Sequence, residues 1–305
     1  MKLPEEYWSR VERDPLALTG QAQGTWPHRF KEDLNLVGET VLKGQRSRVL
    51  VWRGQSNADN GLSSSLFRKA LFAHSMSELS ERRLFNLEAD IVSYARKAGL
   101  GRGMSNVQLL HALQHYQIPT RLIDVSRGPI SALWFACSDR ARKDGRLFLF
   151  AVPQSSIRTD DPNLQMLPWA GIKLANWTNK VLLLDVIPSN PRMAAQDGAF
   201  LVGGLARNYA GQQRLTKDKQ GKPRYVPAEQ IHEISEIFVK FPLEITLNRV
   251  RGWKADETYG VTWRIPYSQK QYVLEVLTRL GITNETMYPN FEKAKDGLES
   301  TLRLA

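Results

Sequence analysis

Apolar residues recur at helical spacing in the first half of the chain and in short β-type runs in the second. Leu84, Leu87, Ile91 and Ala95 share one helical face. Ser75 followed by Glu78 has the form of a capping box and predicts the start of that helix, and Gly99 predicts its end. Ser105 with Gln108 opens a second helix with Leu109, Leu110 and Leu113 on its apolar side, and Pro119 closes it. Pro129 suits the first turn of a third, with Ile130, Leu133, Trp134 and Cys137 facing inward. Strands are predicted at Arg48–Arg53, Arg146–Val152 after an Asp144-Gly145 turn, Val181–Ile187, Ala199–Val202 and, as one long strand, Ile231–Phe241. Ser268 with Gln271 opens a late helix that Gly281 stops, and Pro289-Asn290 precedes a last amphipathic one.

Helices early and strands from Leu147 to about Ile265 argue for an α+β fold over a doubly wound one. The 305 residues, 42% hydrophobic and 24% charged, suffice for a full core. The apolar runs are too short to cross a bilayer, and two early acids replace the apolar stretch of a secretory leader, so a cytoplasmic protein without membrane contact is expected. One cysteine, Cys137, excludes an internal disulfide. The net charge of +11 favours a polyanionic partner such as nucleic acid. That charge concentrates between Arg207 and Arg224, where six basic residues face one acid, Asp218. The segment reads as a mobile basic loop, with Arg214, Lys217, Lys219, Lys222 and Arg224 as candidate nucleic-acid contacts.

The densest chemistry lies from Gln114 to Ser126. An extended Pro119–Asp124 stretch places Arg121 on the face opposite Leu122 and Asp124. Arg121 can clamp a phosphate, and Asp124 can orient a cation or hydroxyl; internal ion pairs are the competing reading. Arg53 and Gly54 end the first strand, where an arginine reaches a diphosphate and a glycine lets the backbone turn or approach a ligand. His111 and His115 share a helical face, but no HExxH pattern or third ligand accompanies them, so no metal is expected. Rossmann, P-loop and GxSxG patterns are absent, and Cys137 lies in an apolar run as a core residue, not a nucleophile.

Together these segments resemble the FRG domain family. Trp52-Arg53-Gly54, followed by Gln55, is similar to its aromatic-Arg-Gly motif. Gln114–Ser126, continuing through Pro129, Ala132-Leu133 and Phe135-Ala136, is similar to its central signature. Arg192 with Gln196-Asp197-Gly198-Ala199-Phe200 resembles a later motif, and Ile265-Pro266, Lys270, Leu274, Leu280-Gly281-Ile282 and Met287–Asn290 the C-terminal pattern. Departures are Trp52 for Phe, Gln117 for Gly, Val125 for Trp and Ser126 for Thr; Gln117 implies that the glycine turn is dispensable.

The motif order in turn resembles, in outline, the ADP-ribosyltransferase fold and nucleic-acid-modifying toxins of the DarT type. That likeness implies a split antiparallel sheet with helices clustered in the N-terminal half, residues 45–305 as the domain and residues 1–44 as an extension packed on it. It also implies NAD as substrate, a nucleic-acid acceptor, and a toxin or phage-defence role with a possible antitoxin partner. On that likeness Arg53 and Arg121 hold the diphosphate, with Gln55 and Ser126 beside it. His115 and Tyr116 shape the nicotinamide or acceptor pocket, and Gln196 addresses the ribose. The late glutamate of those enzymes is missing, and Asp124, Asp197 or Glu233 is the candidate replacement carboxylate. The alternative is a nucleotide- or nucleic-acid-binding module without turnover.

Overall fold

The computed structural model describes residues 38–44, 47–73, 80–139, 142–159, 167, 169–170, 172, 174–177, 180–185, 191–205, 215–217, 223–225, 235–241 and 247–289. The fold is α+β. Its strands are β1 (Arg48–Gln55), β2 (Ile123–Ser126), β3 (Gly145–Pro153), β4 (Ile157–Thr159), β5 (Val181–Asp185), β6 (Gly198–Gly203), β7 (Leu215–Lys217), β8 (Pro223–Tyr225), β9 (Val239–Lys240) and β10 (Thr258–Ile265). Besides the helical residues 38–44, its helices are α1 (Ser65–Ala73), α2 (Glu81–Lys97), α3 (Asn106–His115), α4 (Pro129–Cys137), α5 (Leu174–Trp177), α6 (Pro191–Ala195), α7 (Leu247–Arg251), α8 (Tyr267–Arg279) and α9 (Asn284–Met287).

Eight strands form one sheet in the order β4-β5-β6-β2-β1-β3-β10-β9, while β7 and β8 pair separately. The sheet is mixed, because β4–β5 and β9–β10 run parallel. It is continuous, yet it narrows at one seam. β1 pairs with β3 from Arg48↔Pro153 to Gln55↔Arg146, whereas β1 meets β2 at Trp52↔Ser126 alone.

The strands β3, β5 and β6 are buried on both faces for nearly their whole length, which explains their apolar runs. On β3, Phe148, Phe150 and Val152 enter one core with Val51, Ile123, Val125, Leu183 and Leu201, a layer that runs across the seam. The opposite face carries two cores. Leu147 and Leu149 pack with Trp52, Leu133, Trp263, Val273 and Leu277 beneath α4 and α8. Leu182, Leu184, Phe200 and Val202 pack with Val92, Leu109, Leu113 and Trp177 beneath α2, α3 and α5. Two helical layers therefore part over the place where the sheet is thinnest.

Several sequence expectations change. Helix α2 begins at Ser80, whose side chain accepts from Arg83 N; Ser75 and Glu78 lie outside the described residues. The Ser105–Gln108 capping box forms, but α3 ends at His115, before Pro119. Ile130 turns outward, 41% exposed, whereas Leu133, Trp134 and Cys137 are buried. Helix α8 starts directly after Pro266, so Ser268 lies inside it. Of the long strand over Ile231–Phe241, residues 231–234 lie outside the described residues; Val239–Lys240 is a strand, whereas Ser235 forms only an isolated bridge with Leu62 and Glu236 turns its carboxylate to Ser64. The basic loop contains a hairpin, with Thr216 opposite Arg224 and Lys217 opposite Pro223; Arg214, Lys219 and Lys222 lie outside the described residues. Residues 1–37 and the expected last helix after Asn290 also lie outside them; residues 38–44 are helical, with Val41 buried beside Val250 and Trp253.

Candidate functional site

A cleft of about 410 Å³ opens over the β1–β2 seam. Several pieces of chain line it. Trp52, Arg53 and Gly54 come from β1, and Asp124, Val125 and Ser126 from β2. His111, Gln114, His115 and Gln117 come from the end of α3. Arg192, Met193, Gln196 and Phe200 come from α6 and β6, and Ala132, Phe135 and Tyr288 from α4 and the turn after α9. The volume falls in the range of small-molecule sites.

Each wall has a local cause. Gly54 is required because α4 lies directly on β1: a Cβ there would sit 1.7 Å from the Ala132 carbonyl oxygen and 2.6 Å from Ala136 N. Its role is helix packing, not the approach of a ligand. Pro129 at the first turn of α4 fixes the direction from which that helix arrives. At the other wall, Ile118 N donates to the Leu113 carbonyl and Gln117 N to the Gln114 carbonyl, closing α3 in a Schellman turn with Gln117 at φ 63°. The left-handed turn survives the loss of glycine, and it aims the polar end of α3 at β2.

The polar side of the cleft is a chain of hydrogen bonds. Leu122 N donates to Thr120 Oγ1, and Thr120 Oγ1 donates to Gln114 Oε1. Gln114 Nε2 donates to Asp124 Oδ1 at 2.7 Å. With its carbonyl end occupied by the threonine proton, the Gln114 amide presents only N–H to the carboxylate. Asp124 Oδ2 lies 4.0 Å from Arg53 Nη1, which donates to the Asp124 carbonyl at 2.7 Å. Burial lowers the Arg53 pKa, Asp124 opposes this and Arg68 adds to it. Burial lowers that of His111 too, against Asp124 and with His115, so its imidazole is neutral at physiological pH.

Of the residues read from the sequence, Arg53, His115, Asp124, Ser126 and Gln196 meet at this cleft. Ser126 Oγ donates to the Gly128 carbonyl at 2.8 Å. Gln196 Nε2 donates to the Met287 carbonyl at 2.9 Å, fastening α6 to α9. Three others stand apart. Gln55 turns to the Gly61 carbonyl at 3.3 Å. Tyr116 is 77% exposed and stands edge-on to the His115 ring, 5.5 Å away.

Arg121 is fully buried, so it is no ligand clamp. Its Nη1 donates to Glu81 Oε1 at 2.5 Å, and its Nε lies 3.7 Å from Glu88 Oε2. Burial opposes its charge, but Glu88 and Glu81 outweigh that and raise its pKa. The acids are further held by Trp177 and Leu205 N on Glu81 and by Trp169 on Glu88. Of the other replacement carboxylates, Asp197 pairs with Arg127, which also binds Asp185, and Glu233 lies outside the described residues. Asp124 remains as the carboxylate among the described lining residues.

Sequence reasoning left out His111, Gln114, Phe135, Arg192 and Tyr288. His111 was signalled by its spacing from His115, and the others sat inside the quoted motifs. Arg192 and Tyr288 are 96 positions apart, so no local pattern joins them.

A family model described as FRG domain matches residues 48–145. The match runs from the start of β1 to the first residue of β3, and so contains Arg53, the end of α3 and Asp124 but neither Arg192 nor Tyr288. No curated protein and no solved structure matches the chain. Among the described residues no helix is long and apolar enough to cross a membrane, and no three His, Cys, Asp or Glu side chains group to hold a metal ion.

Proposed function

We propose that the cleft takes NAD and that the protein is an ADP-ribosyltransferase acting on nucleic acid, as a toxin or anti-phage effector with a possible antitoxin partner. One observation carries this reading: Arg53, His115, Asp124 and Gln196, distant in sequence, converge on one cleft at the seam of the sheet. Arg53 would meet the diphosphate. Asp124, the carboxylate of the lining, takes the part of the missing glutamate. It would face the ribose, where positive charge builds as the glycosidic bond to nicotinamide breaks. The bond electrons leave with the nicotinamide nitrogen, and an acceptor oxygen or nitrogen bonds to the freed ribose carbon. The acceptor's proton would pass to a base, for which His111 and the rim residue His115, both lining the cleft, are the candidates.

The test is incubation with NAD, with and without RNA or DNA, followed by assay of free nicotinamide. We expect release that depends on nucleic acid and falls by roughly a hundredfold or more in Asp124→Asn, on the scale of one electrostatic stabiliser. A second reading, nucleotide binding without turnover, is favoured by the Gln114 bond that already occupies one Asp124 oxygen. Tight NAD binding with no nicotinamide release under any condition would establish it.

A further inference from the structure

Apart from its polar chain, the cleft has a wall of a different kind. Tyr288 follows α9 and stands edge-on to Trp134 at 5.5 Å and to Phe135 at 6.3 Å. Across the ring of Tyr288 lies the guanidinium of Arg192, 4.2 Å from the ring centroid. Arg192, Phe135 and Tyr288 are partly exposed, and all three line the cleft. Arg192 pairs with no carboxylate among the described residues, in contrast to Arg127 with Asp185 and Asp197 or Arg264 with Asp144. Its position is set by the ring beneath it, and α6 is in turn tied to α9 through Gln196 and the Met287 carbonyl.

A planar cation held over a tyrosine ring, bordered by a phenylalanine, offers a stacking surface. Planar heterocycles with a π face bind such surfaces through dispersion and cation–π attraction. Phosphates and sugars have no π face and gain only the charge. The cleft therefore has two chemically distinct sides: hydrogen-bonding groups at Arg53, Gln114 and Asp124, and a stacking wall at Phe135, Arg192 and Tyr288. A ligand that satisfies both carries an anionic sugar-phosphate at one end and an aromatic base at the other.

We propose that Arg192, backed by Tyr288 and flanked by Phe135, is the nucleobase subsite of this cleft, and that the ligand class is a nucleoside diphosphate or a dinucleotide containing one. The inference rests on the reading that the cleft takes a nucleotide, but not on turnover. Its test is calorimetric binding of ADP, ribose 5-phosphate and inorganic pyrophosphate to the full chain, to Arg192→Met and to Phe135→Leu, each checked for an unchanged thermal melt.

The wild type is expected to prefer ADP to ribose 5-phosphate. Arg192→Met is expected to weaken ADP by roughly 5- to 150-fold, the range of one lost stacking contact, and to leave ribose 5-phosphate within about twofold. Phe135→Leu should shift ADP in the same direction and also spare ribose 5-phosphate. Equal losses for ADP, ribose 5-phosphate and pyrophosphate in Arg192→Met would make the residue a phosphate ligand and overturn the subsite. So would a wild type that binds none of the three. ADP binding with this selectivity, but no nicotinamide release from NAD, leaves the subsite standing and removes the transferase. Nicotinamide release with equal losses does the reverse.

Discussion

Gln117 holds a left-handed backbone, φ 63°, at the turn that closes α3. A side chain there costs on the order of 1 kcal/mol that glycine avoids. Gln117→Gly is expected to raise the melting temperature by about 1–4 °C, since part of the relief is offset by the greater freedom of glycine when unfolded. An unchanged or lower melting temperature would mean that the Gln117 side chain contributes contacts worth as much as the strain. Gly54 behaves oppositely. The atoms that a methyl group would strike belong to the α4 backbone and cannot rotate away. Gly54→Ala should destabilise by about 1–3 kcal/mol or more, read in a denaturant titration, and shift α4 off the cleft. Arg53 makes its contacts at the edge of the cleft, so Arg53→Ala should leave the fold intact and abolish binding of the diphosphate, at a cost of about 2–5 kcal/mol. Full binding by a folded Arg53→Ala would sink the clamp assignment.

At the scale of elements, Arg121 is the fastener between α2 and the segment entering β2. Through Glu81 it also reaches α5 and the chain leaving β6. Removing one partner of a buried ion pair leaves the other charges uncompensated. Arg121→Gln is therefore expected to cost about 3–5 kcal/mol in chemical denaturation, with ligand binding lost only in proportion to the unfolded fraction. Selective loss of binding by a fully stable Arg121→Gln would restore Arg121 as a ligand residue. The contrast with Arg53 is physical: both are arginines beside acids, but one is sealed between helices and sheet, while the other ends at an open seam.

At the scale of the whole molecule, the same buried charges set a pH dependence. Burial raises the Glu236 carboxyl from 4.5 to about 7; hydrogen bonds from Ser64 and the Arg121 charge hold it back, and Glu81 adds to the rise. Glu88 is raised by burial as well. A carboxyl with a raised folded-state pKa contributes stability that is full below its unfolded value and lost as pH climbs through its folded one. The Glu236 part, on the order of 3 kcal/mol, is therefore present near pH 4.5 and gone above about 7. Melting temperatures between pH 5 and 8 should fall, and Glu236→Gln should flatten the slope; an identical slope in the variant would exclude Glu236 as its source. The proposed polyanion binding is tested at the same scale. Neutralising Arg214, Lys217, Lys219, Lys222 and Arg224 together is expected to weaken RNA and DNA binding and to reduce its salt slope by up to five phosphate contacts, without changing NAD affinity. Unaltered binding at every salt concentration would leave the segment as a solvated connector.

The apolar periods of α2 and α3, that of α4 apart from Ile130, the doubly buried run of β3 and the Ser105 cap were legible along the chain, because each depends on residues three, four or two positions apart. Arg53, His115, Asp124 and Gln196 were legible as candidates, because polar side chains at the ends of elements lack helical or strand neighbours to satisfy them. The partner each arginine would choose was not. Nothing near Arg121 in sequence marks Glu81 and Glu88, 40 and 33 positions away, as its neighbours; α2 must first dock across the sheet. Nor does any local signal bring Tyr288 under Arg192, or leave β1 and β2 joined at one pair so that a cleft opens between two helical layers. Local spacing determined which residues form elements and which stay polar at their ends. Long-range packing decided which of those polar ends are sealed inside and which face the open cleft.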